Sequence, residues 1–265
     1  MAKPDPAANR YRVLIEKVFL NHWSKGVSEF EFARDEIETV ASELSINLPK
    51  NIGDLIYSFR FRVSLPQLIQ DTQPEGLEWI IEGAGKARYR FRLVKITRIV
   101  PSDALVSIAI PDATPEFIRA YALDDEQALL AIVRYNRLID TFLGLTTYSL
   151  QNHLRTTVKG VGQIEIDELY IGLDKYGCHY VIPVQAKGGK DQIGVVQTGQ
   201  DLAFAVEKFP EMRCRPIAAQ FMSEGVIALF ELTLEDGQVK VVEERHYRLV
   251  PATEIDARAV REYRL

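Results

Sequence analysis

The sequence predicts a mixed α/β (α+β) chain in two domains, the first over residues 1–100 and the second over residues 101–265. Three observations predict it. The first hundred residues open with three stretches of helical periodicity and close on an alternating, arginine-rich strand. Residues 162–189 alternate apolar and polar side chains with period two on both sides of Gly177, the pattern of two paired strands. Beyond them come a long helical stretch and further strands, two of which meet at Asp236-Gly237. Strands linked through a crossover helix build a mixed sheet.

Composition bounds what such a chain does. Its 265 residues suffice for two modest cores, and 47% hydrophobic with 26% charged residues is the balance of an ordinary globular protein. Cys178 and Cys214 form no C-x-x-C pair and no disulfide framework, as expected of a reducing compartment. The four histidines are scattered and lack zinc spacing. The opening MAKPDPAANRYR has no apolar leader core, and no run approaches the ~18 apolar residues of a membrane span. The expectation is a cytoplasmic protein with no membrane segment. A net charge of -5 argues against nucleic acid for the chain as a whole. Residues 50–100, however, carry nine Lys/Arg against five Asp/Glu. Phosphate fields act locally, within about one Debye length, so such a segment can still meet DNA.

Taken in order, residues 11–23 place Val13, Leu14, Val18, Phe19 and Leu20 at amphipathic helix spacing, with Gly26 beyond the end. A second helix is expected over 32–44, where Asp35 and Glu36 in the first turn suit the helix dipole. A third covers 52–61, with Leu55, Ile56 and Phe59 on one side. Over 77–94, Trp79, Ile80 and Ile81 form a strand and Gly83-Ala84-Gly85 a turn. Lys86, Arg88, Arg90 and Arg92 then alternate with apolar residues, which puts four cations on one strand face. Such a face either meets phosphates or guards a sheet edge. Together with Asn51, Tyr57, Arg60 and Arg62 around the third helix, these cations are the candidate DNA contacts. The layout resembles the winged-helix DNA-binding domains found beside some restriction-type nucleases.

Residues 97–115 read as a linker, or as a strand contributed to the second domain. Helices are expected over 117–121, 125–143 and 146–157, the last with Tyr148, Leu150 and Leu154 toward the core. A strong helix over 191–209 would turn Ile193, Val196, Leu202, Ala203, Val206 and Phe209 inward, leaving Gln197 and Gln200 near its start to reach a site or DNA. A strand over 215–221, a hairpin pairing 226–234 with 239–249, and a short charged helix or frayed tail complete the chain.

The chemistry gathers on the 162–189 strand pair. With Ile164 and Ile166 facing one way, Glu165 and Asp167 share the other face. With Tyr180, Ile182, Val184 and Ala186 inward, Gln185 and Lys187 project together. Magnesium prefers hard oxygen ligands and keeps several waters, so Asp167, the Gln185 side-chain oxygen and the Ala186 carbonyl form a partial cage. A neighbouring lysine orients the attacking water and offsets phosphate charge.

This acid followed by Gln185-Ala186-Lys187 resembles the PD-(D/E)xK nuclease superfamily, which includes many restriction endonucleases. The departure is Gln185 in place of an acid; the Q-x-K form is similar to the Mrr-type branch, and Glu165 would supply the missing charge. The resemblance also implies an acidic or polar residue on a helix ahead of the first catalytic strand, a place for Gln151, with Asp140 as its rival. It implies Mg²⁺-dependent hydrolysis of double-stranded DNA by a type II restriction endonuclease, acting as a homodimer because two strands need two sites. The alternatives are a non-catalytic winged-helix regulator and a repair or modification-dependent nuclease. The bland reading of the same residues is a solvated sheet face. Gly83-x-Gly85 and Gly160-x-Gly162 are too short for a dinucleotide fingerprint, a P-loop is absent, and no serine elbow occurs.

Overall fold

A computed structural model describes residues 6–48, 52–61, 63–95, 99–121, 126–188, 194–222, 225–255 and 257–263. The chain divides into two compact units. One comprises residues 1–97 with 157–164, the other residues 98–156 with 165–265.

The first unit runs α1 (Pro6–His22), β1 (Glu29–Ala33), α2 (Arg34–Glu43), α3 (Ile52–Phe61), α4 (Gln67–Gln70), β2 (Leu77–Gly83) and β3 (Arg88–Lys95). Its three strands form an antiparallel sheet in the order β1-β3-β2. Leu14, Ile15, Val18 and Phe19 of α1 are fully buried against Trp79, Ile81 and Phe91 of the sheet. Phe19 meets Trp79 and Phe91 edge to face, at 5.2 Å and 5.1 Å between ring centres, the arrangement aromatic quadrupoles favour.

Two expectations are corrected in this unit. The second helix begins at Arg34, because Glu29-Phe30-Glu31-Phe32-Ala33 pairs with β3 as a strand; its alternation is period two, not helical. Glu36 closes the helix start by accepting the Ala33 N–H at 2.7 Å. The second correction concerns the cations. Lys86 lies in the turn, whereas Arg88, Arg90 and Arg92 lie on β3 facing acids on both neighbouring strands. Arg90 bonds Glu31 at 2.8 Å, Arg88 sits 3.6 Å from the same carboxylate, and Arg92 pairs with Glu82. The strand face is therefore close to charge-balanced.

The second unit contains β4 (Ser107–Pro111), α5 (Glu116–Arg119), α6 (Glu126–Tyr135), α7 (Leu138–Leu143), β5 (Thr146–Val158), β6 (Gly162–Leu173), β7 (His179–Lys187) and α8 (Val195–Lys208). After these come β8 (Arg213–Cys214), β9 (Ile217–Phe221), β10 (Val226–Glu235), β11 (Gln238–Val250) and α9 (Ala257–Glu262). The sheet order is β4-β11-β10-β9-β7-β6-β5, with β8 paired to β7. β7 runs antiparallel to β6 and parallel to β9, so α8 serves as the crossover that a parallel connection requires. α6 and α7 cover one sheet face through Leu129, Val133, Leu138 and Phe142, packed on Tyr170, Ile182, Val184 and Ala186. Val195 of α8 packs on the other face with Ala218, Ala228 and Phe230.

The turn between β6 and β7 is stitched by Asp174, whose Oδ1 accepts the N–H groups of Tyr176 at 2.8 Å and Cys178 at 2.9 Å. Asp236 and Gly237, both at positive φ, make the two-residue turn of the β10–β11 hairpin.

Two readings change in this unit, and one named alternative, the strand within residues 97–115, is the one observed. Residues 146–157 are strand, not helix: Thr146, Thr147, Thr156, Thr157 and Val158 are β-branched, and β5 lies beside β6 at the sheet edge. Tyr148 and Leu150 are accordingly exposed. The 97–115 segment contributes β4, pairing in parallel with β11. Helix α8 is rotated from the apolar face the sequence suggests: Val206 is 75% exposed, while Thr198, Gln200, Asp201, Phe204 and Ala205 point inward. Among the described residues no helix is long and apolar enough to cross a membrane.

Candidate active site

The β6–β7 ladder runs from Glu168↔Val184 to Leu173↔His179. Just past its end the Asp167 side chain enters the position a backbone group would fill. Its Oδ2 accepts the Ala186 N–H at 2.9 Å. In an extended strand the N–H and C=O of one residue leave the same edge, so the Ala186 carbonyl is on the Asp167 side. Ala186 and Lys187 are at the same time held in register with Ala219 and Gln220 of β9. The Asp167 and Gln185-Ala186-Lys187 segments thus meet where two strands splay.

Gln185 is 4% exposed and its Nε2 donates to Asp201 Oδ1 at 3.0 Å and to the Glu165 carbonyl at 3.3 Å. Asp201, 2% exposed on α8, is the residue the sequence reading missed. Burial pushes the Asp201 carboxyl well above the usual carboxylate range; the Gln185 amide and Lys187 pull it down, and Asp167 pushes it further up. Asp167 is also raised, by burial first, against the opposing pull of the Ala186 N–H and Lys187.

The fit to a hard cation can be tested on the donors themselves. Gln185 Oε1 is buried without a hydrogen-bond partner, leaving an oxygen acceptor open beside two carboxylates whose charged forms burial disfavours more than their neighbours favour them. A divalent cation would relieve both deficits, and oxygen donors are what Mg²⁺ takes. No group of three or more His, Cys, Asp and Glu side chains occurs in metal-holding geometry among the described residues. The donor set here is two carboxylates, one amide oxygen and one backbone carbonyl.

The other sequence candidates are placed as follows. The Glu165 carboxylate turns to Arg155 at 3.2 Å and His153 at 3.4 Å, so the acid beside Gln185 is Asp201. Gln151 stands on β5, an exposed strand position instead of a helix. Asp140, on α7, accepts from Arg137 and Thr147 on the opposite sheet face. Gln197 is half-buried in the first turn of α8. In the first unit the Tyr57 and Phe61 rings meet at a 56° tilt with centres 4.9 Å apart, and the Arg60 guanidinium lies over the Phe61 ring. Asn51 and Arg62 lie outside the described residues.

No family model, curated protein or solved structure matches this chain.

Proposed function

We propose that the chain is a Mg²⁺-dependent endonuclease that hydrolyses phosphodiester bonds of double-stranded DNA. The observation that carries this reading is the bond from the Ala186 N–H to Asp167, within a segment whose next residue is Lys187. It brings an acid, an amide oxygen and an ammonium group to one splayed strand end. Asp201 restores the negative charge that Gln185 lacks, so the set holds two carboxylates after all.

Asp167, Asp201, Gln185 Oε1 and the Ala186 carbonyl would hold the ion, with Lys187 beside them. Bound Mg²⁺ would supply Lewis-acid polarisation of the phosphate and lower the pKa of a water. Lys187 orients the attacking water and offsets charge on the scissile phosphate. The β9 ladder fixes the backbone from which Lys187 projects.

For the first unit we favour a winged-helix DNA-binding module. Its support is the order helix, strand, three helices (the last a single turn), strand, strand, with β1 joining the two later strands in one sheet. Lys86, in the β2–β3 turn, and Arg88, 60% exposed, are its cations best placed for phosphates. A site-specific restriction enzyme acting as a homodimer in the cytoplasm is the fuller form of the proposal. The two free cysteines suit that compartment.

The test is plasmid DNA incubated with protein and Mg²⁺, beside EDTA and a Lys187→Ala control. Discrete fragments that need Mg²⁺ and vanish in the variant are expected. Intact plasmid with a gel shift would leave the regulator reading in its place.

A further inference from the structure

The eight-stranded sheet of the second unit has two edges, and the chain treats them differently. β4 is five residues long and ends on Pro111, and its Ala109 N–H donates to the Tyr263 hydroxyl at 3.1 Å. Short length, proline and a covering side chain are devices that stop an edge from recruiting another strand. β5, at the other edge, is thirteen residues long, and its first nine, Thr146 to Leu154, include no Lys, Arg, Asp or Glu. The charges that normally guard a long edge are missing there.

The Thr147 N–H donates to the Asp140 side chain at 2.8 Å, so it points off the β6 ladder. N–H directions alternate along a strand, and those of Ser149 and Gln151 therefore also leave on the side away from β6. Residues 148–153 are all exposed, and His153 at φ 49° interrupts the strand beyond them. The edge open to pairing is Thr147 to Gln151. Side chains alternate as well. Thr147 bonds Asp140 and Ser149 bonds Glu168, on the face packed by α6 and α7. Tyr148 and Leu150 project from the other face, the one that carries Asp167. They are 61% and 57% exposed, two large apolar side chains side by side at an uncovered edge.

The order Tyr-Ser-Leu is complementary to itself. When β5 pairs antiparallel with β5 of a second copy about Ser149, Tyr148 lies opposite the partner's Leu150 and Leu150 opposite the partner's Tyr148. These are non-hydrogen-bonded positions, where side chains approach closest, so four apolar side chains close over one another. Ser149 exchanges both backbone bonds with the partner's Ser149, and the Gln151 N–H reaches the partner's Thr147 carbonyl. No like charges meet, because the stretch carries none. A two-fold axis demands this kind of symmetry; a strand from an unrelated protein does not.

We propose that the β5 edge is a homodimer interface at which two copies pair antiparallel about Ser149 into one continuous sheet. Opposite residues of a ladder share a face, so both Asp167 side chains lie on the same side of the joined sheet. β6 and its copy stand three strand spacings apart, about 14 Å, on the scale of the roughly 12 Å major groove. That placement of two sites for two DNA strands rests on the nuclease reading; the pairing itself does not.

Sedimentation velocity of the full chain, in EDTA and without DNA, tests the pairing. A monomer–dimer equilibrium with Kd of roughly 1–100 µM is expected, since a small interface lies at the weak end. Tyr148→Lys with Leu150→Lys sets like charges opposite each other and should weaken dimerisation by at least about tenfold, as should Tyr148→Glu with Leu150→Glu. An equimolar mixture of the two variants should dimerise again. Circular dichroism checks that each is folded. The register is read by cross-linking. Ser149→Cys should form a disulfide-linked dimer under mild oxidation, because opposite Cα atoms of a hydrogen-bonded pair lie about 5.5 Å apart, within disulfide reach. Gln151→Cys, facing the partner's Thr147, should not. A native chain that stays monomeric above that concentration range, a dimer that the lysine pair leaves intact, or equal cross-linking at 149 and 151 would overturn the inference. Plasmid cleavage separates the two readings: a dimer without Mg²⁺-dependent cleavage keeps the interface and removes the nuclease, and cleavage by a native monomer does the reverse.

Discussion

Gln185 of β7 donates a hydrogen bond to Asp201 of α8 at 3.0 Å, and both side chains are almost completely buried. A buried carboxylate held by a neutral amide is costly unless something further compensates its charge. That cost makes the pair a sensitive point for both stability and chemistry.

Asp201→Asn should raise stability and abolish cleavage together. Removing a carboxyl whose ionisation the fold opposes is expected to stabilise the metal-free protein by about 1–2 kcal/mol at neutral pH. Nuclease turnover should fall at least 100-fold. Thermal melts in EDTA and plasmid assays in Mg²⁺ measure the two effects; a destabilised variant with full activity would remove Asp201 from the site.

The same residue fixes a pH dependence. Its folded pKa is raised above the ordinary 3.8, so the folded state binds the proton more tightly than the unfolded chain does. Stability from this group is therefore present below about pH 4 and lost as pH climbs through the folded pKa. The melting-temperature advantage of Asp201→Asn over the native chain should grow from pH 4 to pH 8 in EDTA. Saturating Mg²⁺ should shrink it by stabilising the native chain alone.

Gln185→Glu places a third acid in the same pocket. Without metal, like charges should lower stability by roughly 1–3 kcal/mol. The stabilising shift on adding Mg²⁺ should then exceed that of the native chain, read by differential scanning fluorimetry. An equal shift in both proteins would mean that residue 185 does not face the cation.

The charge-balanced strand of the first unit gives a prediction opposite in sign to an ordinary loss of function. Replacing Glu31 and Glu82 by Gln releases Arg90 and Arg92 from their partners. Affinity for nonspecific duplex DNA at low salt should rise several-fold, and the slope of log K against log salt should steepen by about one to two. Unchanged affinity would place the DNA contact elsewhere.

Gly83 supplies a backbone test. A Cβ there would fall 1.7 Å from the Val161 carbonyl oxygen, with backbone on both sides of the contact. Gly83→Ala should cost at least about 2 kcal/mol, measured by urea unfolding.

The strand pair around the site was legible because residues 164–167 and 180–187 alternate so regularly. Asp236-Gly237 likewise announces its hairpin through turn chemistry. Asp201 was not legible, because Val196, Leu202, Ala203 and Val206 draw an apolar stripe on the wrong side of the helix. The signal available was Asp201 falling in step with Val195, Thr198, Phe204 and Ala205, but frames rich in polar residues lose to apolar ones on periodicity alone. β5 was misread because an edge strand with one poorly covered face lacks strict alternation; His153, at φ 49°, breaks what alternation there is. The neutralised arginines were overlooked for a different reason. Glu31 lies 59 residues before Arg90, so a local charge count misses its partner.

Asp167 and Glu168 are neighbours in the chain and serve opposite sides of the sheet. What assigns each to its side is the small loop at Asp174, whose carboxylate counts out the residues between one strand and the next. An insertion or deletion of one residue there would shift the register of the two strands and exchange the two carboxylates between the faces, sending the arginine-bound Glu168 toward α8 and Asp167 toward α6 and α7. A loop with no chemistry of its own thereby sets the address of each carboxylate.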